Sequence, residues 1–254
     1  MKFLLFLTVL FFALPNKANQ EISALVEVEQ SVVTDPDFKK ALEYLDQEDY
    51  TNAMAYAKKS ASNGYCEGYT LVGLMYKHGQ GVKVDIEESY RWIKKGAELG
   101  DAIAMMEEGL YYFDKEIYNN AFACFLKSAK LDIPTAQYYV GECYYNGWGV
   151  QKNKLEAIKW YEKAADNGNF EAIAYLGECY LYGDGVPKDW DKGIEYTTKA
   201  ANAGIAFSQF FLGEIYYYGL GVNTNKIVAR QWYEKAAKQG HTKAIETLRN
   251  NDFK

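Results

Sequence analysis

The sequence predicts an all-α protein built from stacked helical hairpins. One observation is a segment pattern that recurs at an interval of 36 residues, because fixed self-similarity of this kind is typical of helical-repeat solenoids. Another is that apolar residues within each repeat stand four apart, which places them on one face of a helix. Hydrophobic residues make up 49% of the 254 positions, so the chain can bury a core.

The clearest copies of the pattern lie in the C-terminal half. A segment of the form Leu/Val-Gly-Glu-x-Tyr begins at Val140, Leu176 and Leu212, and a Gly-x-Gly-Val loop follows each copy. A further Gly-x-Gly-Val loop begins at Gly79. The glycines permit the positive φ angles at which the first helix of a hairpin can end.

The second helix of each of these hairpins is predicted to begin at an Asp or Asn residue. Such a side chain accepts hydrogen bonds from the unpaired N–H groups of a first helical turn. Glu156, three residues after Asn153, predicts a capping box at that position. The four predicted N-caps, all in the same phase of the repeat, are Asp85, Asn153, Asp189 and Asn225.

This combination of motifs resembles the Sel1-like repeat, a relative of the tetratricopeptide repeat with a longer internal loop. The resemblance includes the Trp-Tyr-Glu-Lys-Ala-Ala segments that begin at Trp160 and Trp232, and it covers about residues 65–240. It implies a right-handed α-α superhelical solenoid that acts as a scaffold for protein partners. Exported bacterial relatives imply three finer roles: toxin immunity, regulation of sensor kinases, and penicillin binding by cysteine-rich secreted proteins.

The repeat predicts the segment boundaries along the whole chain. The first and third hairpins lack the Gly-x-Gly-Val loop and resemble plain tetratricopeptide units. The predicted segments are a signal peptide at 1–18, a linker at 19–36, tetratricopeptide-like units at 37–64 and 101–132, Sel1-like repeats at 65–100, 133–168, 169–204 and 205–240, and a capping tail at 241–254.

The first 18 residues read as a secretory signal peptide. Lys2 precedes an apolar run from Phe3 to Leu14, which is short of the roughly 20 residues that span a bilayer. A transmembrane anchor is the competing interpretation. The prediction is therefore a periplasmic or secreted protein with no stable membrane insertion after cleavage.

The net charge of −6 argues against nucleic acid as a partner, because phosphate neutralisation needs clustered Lys and Arg. The two histidines, His78 and His241, lie far apart, so we predict neither a metal site nor a cofactor. A β-lactamase-type serine needs a lysine three residues on. Lysine is absent at that spacing after Ser31, Ser60, Ser62, Ser89, Ser128 and Ser208.

Among the four cysteines, one disulfide pairing remains a candidate. Cys143 and Cys179 share one phase in neighbouring repeats, and packed helices stand too far apart for a bridge between them. Cys124 and Cys143 lie at equal distances on either side of the turn near Ile133 and Pro134, so the alternatives are a disulfide and two buried thiols. Cys66 has no obvious partner.

A partner-binding stripe is predicted on the first helices. Glu142, Glu178 and Glu214 follow the core positions by two residues, which turns them about 200° away from the core. In the tetratricopeptide resemblance this stripe lines the concave groove, where carboxylates and rings would hold a basic or amphipathic segment. The alternative is ordinary solvated charges. The predicted partner-binding residues are Tyr138, Glu142, Tyr145, Glu178, Tyr182, Phe210, Glu214 and Tyr217.

Three hypotheses for function follow. The preferred one is an exported, non-catalytic interaction scaffold that binds another protein, including as a toxin-immunity or sensor-regulatory protein. The alternative from a different class is a penicillin-interacting, β-lactamase-like secreted protein. A eukaryotic endoplasmic-reticulum adaptor is the third, although the chain carries no retention signal at its end.

Overall fold

The computed structural model describes residues 35–250. Within this range the chain forms thirteen α-helices and no strand, and consecutive helices pack against each other within each of two units. The predicted all-α fold of stacked hairpins is therefore confirmed. The predicted signal peptide at 1–18 and most of the predicted linker lie outside the described residues.

Of the described residues, 35–115 belong to the first unit and 116–250 to the second. The helices of the first unit are α1 Pro36–Asp46, α2 Tyr50–Ser62, α3 Cys66–His78, α4 Ile86–Glu98 and α5 Ala102–Asp114. The helices of the second unit are α6 Tyr118–Ala129, α7 Pro134–Asn146, α8 Lys154–Asp166, α9 Phe170–Tyr182, α10 Trp190–Asn202, α11 Ala206–Tyr218, α12 Lys226–Lys238 and α13 Thr242–Arg249.

The four predicted N-caps are confirmed. The side chains of Asp85, Asn153, Asp189 and Asn225 accept hydrogen bonds from backbone N–H groups three residues on, at 2.9–3.1 Å. The N–H of Asn153 itself donates to the carbonyl of Tyr144 at 2.8 Å. The predicted capping box is therefore wrong, because Tyr144 takes that donor while the Glu156 carboxylate pairs with Lys159 at 2.9 Å.

The second glycine of each long loop packs against the preceding hairpin. Gly149 has φ 68°, and a Cβ placed on it would stand 2.1 Å from the carbonyl oxygen of Tyr118. Gly81 lies in the same way against Tyr50, where a Cβ would stand 2.9 Å from the carbonyl oxygen. These loops thus need glycine both for their backbone conformation and for the close approach to the first turn of an earlier helix.

The residues predicted to face the core do so. Val140, Leu176 and Leu212, two residues before the three glutamates, are at most 1% exposed. In the second unit the core also contains two whole tyrosine rings, those of Tyr161 and Tyr233, which are 0% exposed. A buried phenol needs a hydrogen-bond partner, and the acceptors of these two lie on the predicted binding stripe.

Candidate partner-binding surface

The first helices of the last three hairpins contain no cationic residue. The sequences of α7, α9 and α11 hold neither Lys nor Arg, whereas α8, α10 and α12 on the other side of each hairpin carry lysines. Glu142, Glu178 and Glu214 stand in register on α7, α9 and α11. This segregation leaves the stripe negative, with aromatic side chains as its other main component. We call the eight predicted residues the first-helix stripe.

Glu142 departs from the predicted outward-facing position. It is only 9% exposed, and its carboxylate accepts a hydrogen bond from the hydroxyl of Tyr161, a residue of α8. Burial raises the pKa of Glu142, and the bonds from Tyr161 and Asn146 partly offset that rise. The correction has a physical cause: the ring of Tyr161 reaches across the hairpin and covers this carboxylate.

Glu214 repeats the arrangement with greater exposure. The Tyr233 hydroxyl donates to its carboxylate at 2.5 Å, and Glu214 remains partly exposed. In both hairpins the ring lies on a glycine: a Cβ on Gly141 or Gly213 would stand 2.6 Å from the ring of Tyr161 or Tyr233. The glycine that precedes each glutamate therefore makes room for the ring that binds it.

Glu178 is partly buried but lacks such a donor. The position that matches Tyr161 is Thr197, whose hydroxyl donates to the carbonyl of Gly193 at 2.7 Å. Neither a hydrogen bond nor an ion pair forms at the Glu178 carboxylate within residues 35–250, and burial alone raises its pKa. Leu181, 1% exposed, packs against Gly193. In the preceding hairpin, the position that matches Leu181 is occupied by Tyr145.

The tyrosines at the N-terminal end of the stripe are held by other side chains. The ring of Tyr138 lies 5.7 Å from that of Tyr175 and 5.9 Å from that of Tyr161. The Tyr145 hydroxyl donates to Asp184 at 2.5 Å, and Asp184 also pairs with Lys154 at 2.5 Å. Tyr145 thus joins its own hairpin to the loop of the next one.

The rings at the other end form an exposed cluster. Tyr182 is 64% exposed, and its ring packs at 5.8 Å on Phe211, which in turn stacks on Phe207. Burial raises the pKa of the Tyr182 hydroxyl, and the nearby charges of Glu178 and Glu214 raise it further. The Tyr182 hydroxyl therefore lies close enough to both carboxylates for their negative charges to raise its pKa.

Phe210 and Tyr217 complete the stripe. The Phe210 ring stacks on His241 at 4.7 Å. His241 is partly buried, and its Nδ1 accepts a hydrogen bond from the N–H of Ala244 as the N-cap of α13. The ring of Tyr217 lies beneath the ammonium group of Lys226, 5.1 Å from it.

In the structure, Cys124 and Cys143 are two buried thiols and not a disulfide. Both side chains are buried, and no disulfide joins any two cysteines of the described residues. Aromatic contacts hold the same two helices together, with Phe125 stacked on Tyr139 at 4.8 Å and Phe122 packed edge-on against Tyr144 at 5.4 Å. These rings occupy the interface that a Cys124–Cys143 bridge would have joined.

No group of three or more His, Cys, Asp or Glu side chains is placed to hold a metal ion anywhere in 35–250. Each of the thirteen described helices is too short or too polar to cross a bilayer.

Sequence reasoning missed the tyrosines that bind the glutamates. Glu142 and Tyr161 stand 19 residues apart, as do Glu214 and Tyr233. That common spacing was the available signal, and Thr197 was the visible exception to it. Tyr175 and Phe211 were missed because they lie one hairpin after the stripe rings that they contact, and Phe207 because it contacts the stripe only through Phe211 of its own helix.

Helical hairpins stacked within each unit define a helical-repeat protein. Comparison with known families identifies the kind of repeat. The profile of the Sel1 repeat matches residues 45–65, 66–101, 134–169, 170–205 and 206–241. The chain belongs to the Sel1 repeat family, whose members generally mediate protein–protein interactions.

Solved structures share the fold. A Sel1 repeat protein from Oxalobacter formigenes is 29% identical with a TM-score of 0.78, over 85% of this chain and 87% of that one. The antigen c5321 of uropathogenic Escherichia coli is 30% identical with a TM-score of 0.70, over 82% of this chain and 46% of that one. Immunity protein Pa5087 from Pseudomonas aeruginosa, 16% identical with a TM-score of 0.52 over 89% of this chain and 83% of that one, shares the fold alone.

Among curated proteins, the chitin synthase regulator SKT5 of Saccharomyces cerevisiae is 34% identical over 129 residues. The match covers 48% of this chain and 18% of that protein. An F-box protein of Arabidopsis thaliana is 31% identical over 102 residues, 39% of this chain and 28% of that protein. The chain thus spans less than a third of the length of these two relatives.

Proposed function

We propose that the protein is a non-catalytic scaffold that binds a basic or amphipathic segment of another protein along the first-helix stripe. The observation that carries the proposal is the absence of Lys and Arg from α7, α9 and α11, together with three carboxylates in register among exposed or half-exposed rings. Rings supply contact area at low entropic cost, and carboxylates select cationic partners over anionic ones.

The tyrosine contacts divide the stripe into two functional parts. Glu142 is covered by Tyr161, so it stabilises the hairpin and adds negative potential from beneath the surface. Glu178 and Glu214 are partly exposed, and Tyr182 lies near both of them. Direct contact with a partner is therefore proposed for the α9 and α11 part of the stripe.

Charge reversal tests the proposal. A fluorescein-labelled amphipathic peptide with lysine and arginine on its polar face is titrated with the full chain, and anisotropy is read at two salt concentrations. We expect binding that weakens with salt and that falls by at least tenfold in Glu178→Lys/Glu214→Lys, since two attractive charges become repulsive. The matched control Glu162→Lys/Glu195→Lys reverses two charges on second helices. Equal loss in the control, or no loss in either variant, would overturn the stripe as the binding surface.

An immunity or sensor-regulatory role is the finer form of this proposal. In it, the stripe covers a basic segment of a toxin or of a sensor domain and blocks its action. The fold is shared with immunity protein Pa5087, and this likeness supports the architecture but not the role. Inhibition of one purified toxin or sensor domain by the full chain, lost in Glu178→Lys/Glu214→Lys, is the corresponding test.

The proposal also includes export and the lack of catalysis. Export would place the stripe in the periplasm or outside the cell. Incubation with a chromogenic β-lactam distinguishes the scaffold from a penicillin-interacting hydrolase: we expect no turnover above that of a heat-denatured sample.

A further inference from the structure

The carboxylate of Glu178 differs from its two neighbours in the repeat. Tyr161 and Tyr233 donate hydrogen bonds to Glu142 and Glu214, whereas Thr197 is too short to reach Glu178 and bonds instead to a backbone carbonyl. Burial raises the pKa of Glu178, and no hydrogen bond or cation from residues 35–250 offsets the effect. A partly desolvated carboxylate without a partner gains more from a cation than a fully solvated one does.

The loss of the tyrosine is matched by changes around it. The hairpin of Glu142 has Tyr145, Ala157 and Tyr161, whereas the hairpin of Glu178 has Leu181, Gly193 and Thr197 at the matching positions. Leu181 turns inward, at 1% exposure, against Gly193. This packing fills the core without the tyrosine, and the Glu178 carboxylate accepts no hydrogen bond from the described part of the chain.

A flat ring stands beside this carboxylate. Tyr182 is one helical turn from Glu178, on the same face of α9, and is 64% exposed. Its packing on Phe211, at 5.8 Å between centroids, and the stacking of Phe211 on Phe207 hold the ring in place. A fixed ring next to a carboxylate offers two different contacts to one cation.

These features point to arginine as the cation. A guanidinium group is planar, so it can stack on a tyrosine ring and donate two parallel N–H bonds to a carboxylate at the same time. A lysine ammonium is a strongly hydrated point charge that makes neither the stack nor the paired bonds. We propose that Glu178 and the ring of Tyr182 bind one arginine side chain of the partner. This inference rests on the proposed function and specifies the residue that the stripe recognises.

The test uses three probe peptides that differ at one position. Each has the same basic amphipathic sequence, with arginine, lysine or citrulline at its centre; citrulline keeps the planar shape and removes the charge. With the full chain we expect the arginine peptide to bind about tenfold more tightly than the citrulline peptide, as for a hydrogen-bonded charge pair. We expect the lysine peptide to fall between them.

Two variants assign that preference to Glu178. In Glu178→Gln the difference between the arginine and citrulline peptides should fall below about twofold. In the matched control Glu214→Gln all three peptides should weaken by a similar factor and the preference should remain. The variant Leu181→Tyr/Gly193→Ala/Thr197→Tyr gives this hairpin the side chains of the Glu142 hairpin, and it should lose the preference while keeping the charge.

The outcomes separate the inference from the proposed function. If the three peptides bind equally to the wild-type chain, or if Glu214→Gln removes the preference as fully as Glu178→Gln does, the arginine site is overturned and the stripe stands. If no basic peptide binds, both fall. Circular dichroism and thermal melting verify the fold of each variant, and Glu178→Gln decides the matter if the triple variant does not fold.

Discussion

The hydroxyl of Tyr233 donates a 2.5 Å hydrogen bond to the carboxylate of Glu214, and Tyr161 makes the same contact with Glu142 two hairpins earlier. Each pair joins the two helices of one hairpin, and each tyrosine ring is 0% exposed. Two of the three stripe glutamates, Glu142 and Glu214, therefore take part in core hydrogen bonding as well as in a surface.

Removal of the phenol hydroxyl should destabilise the second unit. Tyr161→Phe leaves the buried Glu142 carboxylate without its main donor, and we expect a loss of about 2 kcal/mol in the free energy of unfolding, as for hydrogen bonds to charged groups. Tyr233→Phe should cost about 1 kcal/mol, because Glu214 can turn to water. Urea denaturation followed by circular dichroism measures both.

The control for this pair is Tyr196→Phe. Tyr196 stacks on Tyr180 at 5.8 Å, and its hydroxyl has no hydrogen-bond partner among residues 35–250. We expect a change within about 0.5 kcal/mol. Equal effects at Tyr161 and Tyr196 would show that the bond to Glu142 contributes nothing.

The loop glycines should differ in their tolerance of alanine. Gly149 and Gly168 both have positive φ, at 68° and 90°, so alanine at either costs about 1–2 kcal/mol in backbone strain. Only at Gly149 would the new Cβ also meet the Tyr118 carbonyl, at 2.1 Å, whereas nothing lies within 4 Å at Gly168. The melting temperature of Gly149→Ala should therefore fall well below that of Gly168→Ala. Similar melting temperatures would contradict the close packing of this loop.

The stability of the first unit should depend on the ionisation of Asp101. Burial raises the pKa of this α5 N-cap to about 6, with the charge of Glu67 as a further cause. Because the folded-state pKa exceeds the unfolded one, the stabilisation that the protonated form provides is present below about pH 4 and is lost as the pH rises through about 6.

Asparagine at this position should remove the dependence. Asn169, the matching N-cap of α9, accepts the same kind of bond from Ala172 at 2.7 Å without a charge. Asp101→Asn should therefore raise the free energy of unfolding at pH 7.5 by up to roughly 3 kcal/mol, and by much less at pH 4. Denaturation at several pH values measures this. An equal effect at both pH values would contradict the raised pKa.

The N-terminal segment should direct export. Residues 1–30 fused to alkaline phosphatase without its own signal should give phosphatase activity in Escherichia coli, because the enzyme folds only where disulfides form. Leu7→Arg, which breaks the apolar run, should abolish that activity. Activity that is absent from the wild-type fusion, or unchanged by Leu7→Arg, would contradict the signal peptide.

Local signals made much of the fold predictable. The caps Asp85 and Asn225 and the paired glycines of the loops act within a few residues of themselves, so their roles could be read from their phase in the repeat. Val140 and Leu212 were predicted to be buried for the same reason, because a helical face follows from spacing alone.

The burial of the side chains in the first-helix stripe could not be predicted in the same way. Spacing along α7 gives the direction of Glu142 but not the reach of Tyr161 from α8, which covers it. The stack of His241 on Phe210 likewise depends on how the last helix packs. Such contacts are set by side-chain length across an interface, and the sequence indicated only the two tyrosine–glutamate pairs, through their common 19-residue spacing.

The central claim is that a basic partner binds the first helices of the second unit, and photo-crosslinking tests it most directly. A basic amphipathic peptide with a benzoylphenylalanine at its centre is irradiated with the full chain, and mass spectrometry locates the crosslinks. The account predicts crosslinks in α9 and α11, at or beside Tyr182 and Phe211, suppressed in Glu178→Lys/Glu214→Lys. Crosslinks confined to α8, α10 and α12 would contradict it.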